Sequence, residues 1–104
     1  MPGPLYEREA HWVRQEGTGV IWTGPCYVLH VLFHPDAGGD HVVLYDGVDA
    51  LSGRVFHDLE AATATTLEVS FGEGVRFEQG IYVNMVDNSI KVTVVFQPVV
   101  RGSD

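Results

Sequence analysis

Glycine sets the limits on what this chain can become. Twelve of its 104 residues are glycine, more than the roughly 7% of an average protein. They stand as punctuation between short runs of β-branched and aromatic residues. Runs of this kind, bounded by turn residues about every 8–12 positions, read as the strands of a sandwich or barrel. The segments are Val20–Trp22, Cys26–His34, His41–Asp46, Arg54–Leu59, Thr65–Phe71, Val75–Glu78, Ile81–Val86 and Ile90–Gln97. In Thr65–Phe71, Leu67, Val69 and Phe71 share a face. In the last segment Ile90, Val92, Val94 and Phe96 do, opposed by Lys91, Thr93, Val95 and Gln97. That period of two marks a half-buried strand.

The turns follow from the same residues. Gly72-Glu73-Gly74 and Gln79-Gly80 predict turns, and Asp87-Asn88-Ser89 predicts a hairpin joining the last two segments. Asp46 and Gly47 are expected to supply a φ > 0 turn, with Tyr45 anchoring the strand end. Gly80 fits a bulge or tight turn, and Pro98 bars continuation of a central strand. Helix has little support. Tyr6–Gln15 and His57–Thr65 are the best windows, and each is expected to form a loop or at most one helical turn. Pro2 and Pro4 favour an extended arm, and Thr63, Thr65 and Thr66 are restricted at χ1. The expectation is an all-β, antiparallel, jelly-roll-like sandwich of about seven or eight short strands.

The length suits one domain, 1–104, with 1–10 as an N-terminal arm and 101–104 as a tail. Hydrophobic residues make up 45%, too many for a disordered chain. Six Lys and Arg face 14 Asp and Glu, for a net charge of −8. The cations Arg8, Arg14, Arg54, Arg76, Lys91 and Arg101 are dispersed, which argues against a nucleic-acid or membrane-surface partner. The lone Cys26 excludes an internal disulfide and a Cys-rich zinc site, and it reads as a small buried hydrophobe. No apolar run reaches the ~18 residues of a transmembrane helix. Glu7 and Glu9 sit where a signal peptide would be basic and then apolar, so synthesis and folding in a reducing cytoplasm are expected.

Chemistry is hard to find. His30, His34 and His41 lie near Asp36 and Asp40, but a spacing of four on a strand separates two histidines by about 13 Å. Zinc–nitrogen bonds are about 2 Å. His34 and His41 would meet only if Pro35–Asp40 closed a hairpin. No His-x-His pair of the cupin kind exists. No serine sits in a Gly-x-Ser-x-Gly elbow, and no phosphate-binding glycine loop occurs. Asp46/Asp49 and Glu73/Glu78 read as turn residues and solvated faces. We expect no catalysis, no cofactor and no stoichiometric metal.

The aromatic and aliphatic residues are more informative, because there are too many of them. Strict alternation along Cys26–His34 places Tyr27, Leu29, Val31 and Phe33 on one face and Val28 and Leu32 on the other. Ile81–Val86 repeats the pattern, with Ile81, Val83 and Met85 against Tyr82 and Val86. A sandwich buries only the inner face of each sheet. The surplus at Val28, Leu32, Tyr82 and Val86 therefore needs cover, from the N-terminal arm or from a neighbouring subunit, and it is the feature that most favours an interface with another copy. Pro4, Leu5 and Tyr6 are expected to join it from an extended arm, Pro2–Glu9, lying against another subunit.

One ordered set of motifs adds a resemblance. Gly24-Pro25-Cys26-Tyr27-Val28-Leu29-His30-Val31 is followed by Val43-Leu44-Tyr45-Asp46-Gly47. Then come Gly74-Val75-Arg76-Phe77-Glu78-Gln79-Gly80-Ile81-Tyr82-Val83 and Val92-Thr93-Val94. Over Thr23–Pro98 this resembles small β-sandwich virion-associated proteins of tailed bacteriophages, of the capsid-decoration type. The resemblance implies a non-enzymatic structural role in the virion, after assembly in the host cytoplasm. The implied partners are the chain itself, with a trimer favoured, and a major capsid or other virion protein. An alternative is a carbohydrate- or receptor-binding module using an exposed Trp12 or Trp22. A third is a cupin-like metal-dependent enzyme, which would need three His or acidic side chains around one point.

Overall fold

The computed structural model describes residues 10–35, 38–60, 65–85 and 90–99. Pro4, Leu5, Tyr6, Val86 and the tail lie outside them. The described chain forms β1 (His11–Glu16), β2 (Gly19–Thr23), β3 (Cys26–His34), β4 (His41–Asp46), β5 (Arg54–Glu60), β6 (Leu67–Phe77), β7 (Gly80–Met85) and β8 (Lys91–Pro98). No helix occurs among these residues. The strands build two antiparallel four-stranded sheets. Sheet A runs β1-β8-β3-β6 and sheet B runs β2-β7-β4-β5. This is the double-sheet order of a jelly roll, in which the chain passes repeatedly from one layer to the other.

The layering corrects several local expectations. Among the described residues, only β4 and β5 are both consecutive in sequence and paired. Strands β7 and β8 belong to different sheets, so Ile81–Val86 and Ile90–Gln97 are not the arms of a hairpin. The same holds for β3 and β4, which lie in different sheets, so they form no hairpin that would set His41 beside His34. Turn residues specify where the chain bends, but not whether the next strand pairs beside the last or crosses above it.

Two further expectations change. His11–Glu16 is a strand, paired with β8 from His11↔Phe96 to Glu16↔Lys91, where a loop or helical turn was expected. His57–Glu60 likewise continues β5. And Gly72-Glu73-Gly74 does not end a strand. Against β3, Val75 pairs with Val28 and Ser70 with His30, so Phe71–Gly74 oppose Leu29 alone. Gly72 and Gly74, at φ +63° and +110°, absorb this bulge within one long β6. A Cβ on Gly74 would come within 2.9 Å of the Leu29 side chain.

That bulge decides which face of β3 is buried. Cys26, Val28, Val31 and Phe33 point into the sandwich, and Tyr27, His30, Leu32 and His34 point out. Val28 is fully buried and is no interface residue. Strict alternation failed because a bulge shifts side-chain direction by one position.

The core lies between the layers. Sheet A contributes Val28, Val31, Phe33, Phe77, Val92, Val94 and Phe96, and sheet B contributes Val42, Leu44, Ile81, Val83 and Met85. At roughly 1.5–3 kcal/mol for each large side chain removed from water, this layer holds the fold. Phe56, at an irregularity of β5, closes the gap between edge strands β5 and β6. Its ring lies 5.3 Å from Phe71 and 5.0 Å from Phe77.

Candidate functional site

With a hydrophobic core between the two sheets, the outer surfaces and the sandwich ends are where polar and exposed side chains gather. On sheet B, the register sets Val20 opposite Tyr82, Tyr82 opposite Tyr45 and Tyr45 opposite Val55. These four side chains make a row across all four strands, spanning about 14 Å at ordinary strand spacing. Val20 is 42% exposed and Val55 64%. Val43 stands in the next row, facing Asn84 on one side and Asp58 on the other. Beyond the row, the β4–β5 loop carries Val48 and a 99% exposed Leu51.

The outer face of sheet A is built differently. One row reads Trp12, Val95, His30 and Ser70, and the next reads Arg14, Thr93, Leu32 and Glu68. Trp12, on edge strand β1, is 70% exposed. His30 Nδ1 lies 3.8 Å from Glu68. His34 Nδ1 lies 3.3 Å from the Thr66 hydroxyl. Tyr27 pairs with Arg76, whose guanidinium sits 5.5 Å from the Tyr27 ring centre and bonds Glu78 at 3.1 Å.

The expected interface is thus divided between two faces. Leu32 is half-buried on the outside of sheet A, and Tyr82 is half-buried on the outside of sheet B. They stand on opposite sides of the sandwich and form no common patch. Val20, Tyr45, Val55 and Trp12 complete the two surfaces, and composition alone did not single them out as partners. Cross-strand register places them together, and register is a long-range property.

One end of the sandwich has a shallow opening of about 150 Å³, lined by Asp46, Arg54, Val55, Phe56, Arg76 and Phe77. Asp46 spends its carboxylate on the fold. It accepts hydrogen bonds from the backbone N–H of Glu78 at 3.0 Å and of Gln79 at 2.8 Å, pinning the β6–β7 turn to the end of β4. The turn after Asp46 needs no positive φ, since neither Asp46 nor Gly47 has one. Gly47 is instead required by closeness, because a Cβ there would lie 2.4 Å from the Gly53 Cα.

Burial pushes the Cys26 thiol up to about 12, with the Asp46 charge adding to the effect and Arg76 opposing it. A thiol so protonated is no nucleophile at neutral pH. Trp22 packs on Phe96 at 5.4 Å between ring centres, and its buried Nε1 has no hydrogen-bond partner among the described residues. His41 Nε2 meets the Asp58 carboxylate at 2.7 Å on the outside of sheet B. Among the described residues, no three His, Cys, Asp or Glu side chains come together at one point.

Fold and surfaces together define an eight-stranded jelly roll with a hydrophobic core between its sheets and two outer faces bearing apolar residues. In comparisons with protein-family models, curated proteins and solved structures, nothing matches this chain.

Proposed function

We propose that this chain is a non-enzymatic structural subunit of a virion, of the capsid-decorating or auxiliary kind, that associates with itself and binds a protein lattice. The observation that supports this reading best is the row Val20–Tyr82–Tyr45–Val55. A sheet face that meets only water alternates core residues with polar ones, and this row places four apolar or aromatic side chains on the water side. The jelly roll serves capsid, lectin and cupin proteins alike, so the fold alone does not choose among them. The resemblance over Thr23–Pro98 favours the virion. Light scattering on the purified chain, alone and with a candidate capsid, tests the proposal. A mass that is a multiple of 11.4 kDa, and co-sedimentation with the capsid, are the expected results. A monomer that ignores every candidate capsid overturns the reading.

Trp12 supports a second reading. Its exposed indole shares an open face with Arg14, Thr93 and Glu68, an arrangement that also suits stacking on a sugar ring. Quenching of Trp12 fluorescence by oligosaccharides, absent in Trp12→Ala, would favour it.

A further inference from the structure

Among the described residues, sheet A ends on the edge strands β1 and β6, and sheet B on β2 and β5. A bare edge offers unpaired N–H and C=O groups to any strand that meets it, and a bulge blunts the edge by bending those groups out of line. Three of the four edges are interrupted in this way. The register breaks at Val20/Trp22 in β2, opposite Leu44/Tyr45 in β5 and opposite Val28/His30 in β6. Strand β1 runs from His11↔Phe96 to Glu16↔Lys91 without a shift. One bond just past its end shows which of its backbone groups are free. The Gly17 N–H donates to the Ile90 carbonyl at 3.3 Å, and an antiparallel ladder forms its bonds at every second residue. Gln15, Val13 and His11 therefore spend their backbone groups on β8. Trp12, Arg14 and Glu16 turn theirs to the other side, where no described strand lies.

Resting on the self-association proposed above, we infer that a second copy of this chain docks on this edge, with the two β1 strands antiparallel about a two-fold axis at Val13 and sheet A continuing from one copy into the other. A straight row of free backbone groups calls for an extended strand, and β1 complements itself in one register. A two-fold pair centres on a residue that faces its own copy. Centring on Trp12 pairs only His11–Val13, centring on Gln15 only Arg14–Glu16, and centring nearer either end pairs less still. Centring on Arg14 pairs Trp12–Glu16 but sets two guanidiniums directly opposite each other, which is unfavourable. Centring on Val13 pairs His11–Gln15 and opposes no like charges. It sets Trp12 of each copy against Arg14 of the other, and their free backbone groups bond each other. Trp12 is 70% exposed, and none of the ion pairs among the described residues uses Arg14. A guanidinium over an indole is a favourable contact. The two Val13 side chains meet on the core side of the sheet, where Val13 packs against the core. Pairing one edge with itself is a closed contact. It makes a dimer, where the virion resemblance favours a trimer.

Proline and cysteine substitutions test this. Arg14→Pro removes an N–H that faces the open edge and takes no bond from β8, so circular dichroism should show the β fold retained. In sedimentation velocity at tens of micromolar, the wild type should have twice the 11.4 kDa mass of the chain, and Arg14→Pro should be a monomer. The register is read by single cysteines in a Cys26→Ala background under mild oxidation. Val13→Cys should link two chains, because facing residues of a non-hydrogen-bonded pair lie about 4.5 Å apart, within reach of a disulfide. Arg14→Cys and Gln15→Cys should stay unlinked. If Arg14→Pro fails to fold, the cysteine series decides alone. A link at position 14 or 15 in place of 13 overturns the register. An assembled wild type that gives no Val13→Cys link, or whose assembly survives in folded Arg14→Pro, overturns docking through β1 and leaves self-association standing. A wild type that is itself monomeric at tens of micromolar overturns the self-association reading, and the edge contact with it.

Discussion

Tyr45 and Tyr82 stand opposite each other on β4 and β7, with ring centres 5.7 Å apart and planes at 64°. The pair faces outward, at the middle of the sheet B row, with the Tyr45 Cβ over Gly53. Edge-to-face rings contribute about 0.5–1.5 kcal/mol beyond their burial. A double-mutant cycle with Tyr45→Ala and Tyr82→Ala, followed by urea denaturation, should return a coupling of that size. Simple additivity would mean that the two rings act independently.

Cys26 should be silent to thiol reagents. With the thiol raised from its ordinary 9.0 to about 12, almost none is thiolate at pH 8. Ellman's reagent should label the native protein far more slowly than the urea-denatured one. The linkage also has a definite sign. The folded state holds its proton where the unfolded state releases it, so the contribution of this group is full below pH 9. It declines as pH rises from about 9 towards 12. Cys26→Ala should remove that alkaline slope from the stability profile.

Asp46 should matter for stability without any part in chemistry. Replacing it by Ala leaves the Glu78 and Gln79 N–H groups without their acceptor. Losing a charged acceptor of this kind costs about 1.5–3 kcal/mol per bond. Asp46→Asn can satisfy only one N–H through its carbonyl, and its loss should be smaller. Thermal melts of both variants decide the order.

Two glycines should separate backbone strain from collision. Gly72 has φ +63° and open space around it, so Gly72→Ala carries only the left-handed penalty of about 1–2 kcal/mol. Gly80 has φ +150°, and a Cβ there would lie 2.4 Å from the Trp22 carbonyl oxygen. The β2–β7 pairing would have to move. Gly80→Ala should therefore cost clearly more than Gly72→Ala in chemical denaturation.

Much of the strand content was legible because the inward positions of β4, β7 and β8 repeat every second residue without interruption. What escaped were features set by distant neighbours. The Leu29 bulge depends on the Phe71–Gly74 insertion in another strand, so Val28 read as an outward residue when it is core. Strand β1 has one strong hydrophobe facing in, Val13, between His11 and Gln15. An edge strand buries too little to imprint a pattern. The outer rows were half visible: Leu32 and Tyr82 read correctly as outward, but no sequence signal told that they belong to different sheets.

Strand order also has a consequence for synthesis. Strand β8 lies between β1 and β3, and it supplies Val92, Val94 and Phe96 to the core. Strand β1 therefore has no neighbour in its own sheet, among the described residues, until Lys91–Pro98 has been made. Among the described residues only the β4–β5 pairing joins consecutive strands, and the other pairings wait on more distant chain. Folding of the sandwich waits until residues 91–98 have been made, and a nascent chain stalled before residue 91 exposes the inner faces of both layers to chaperones and proteases.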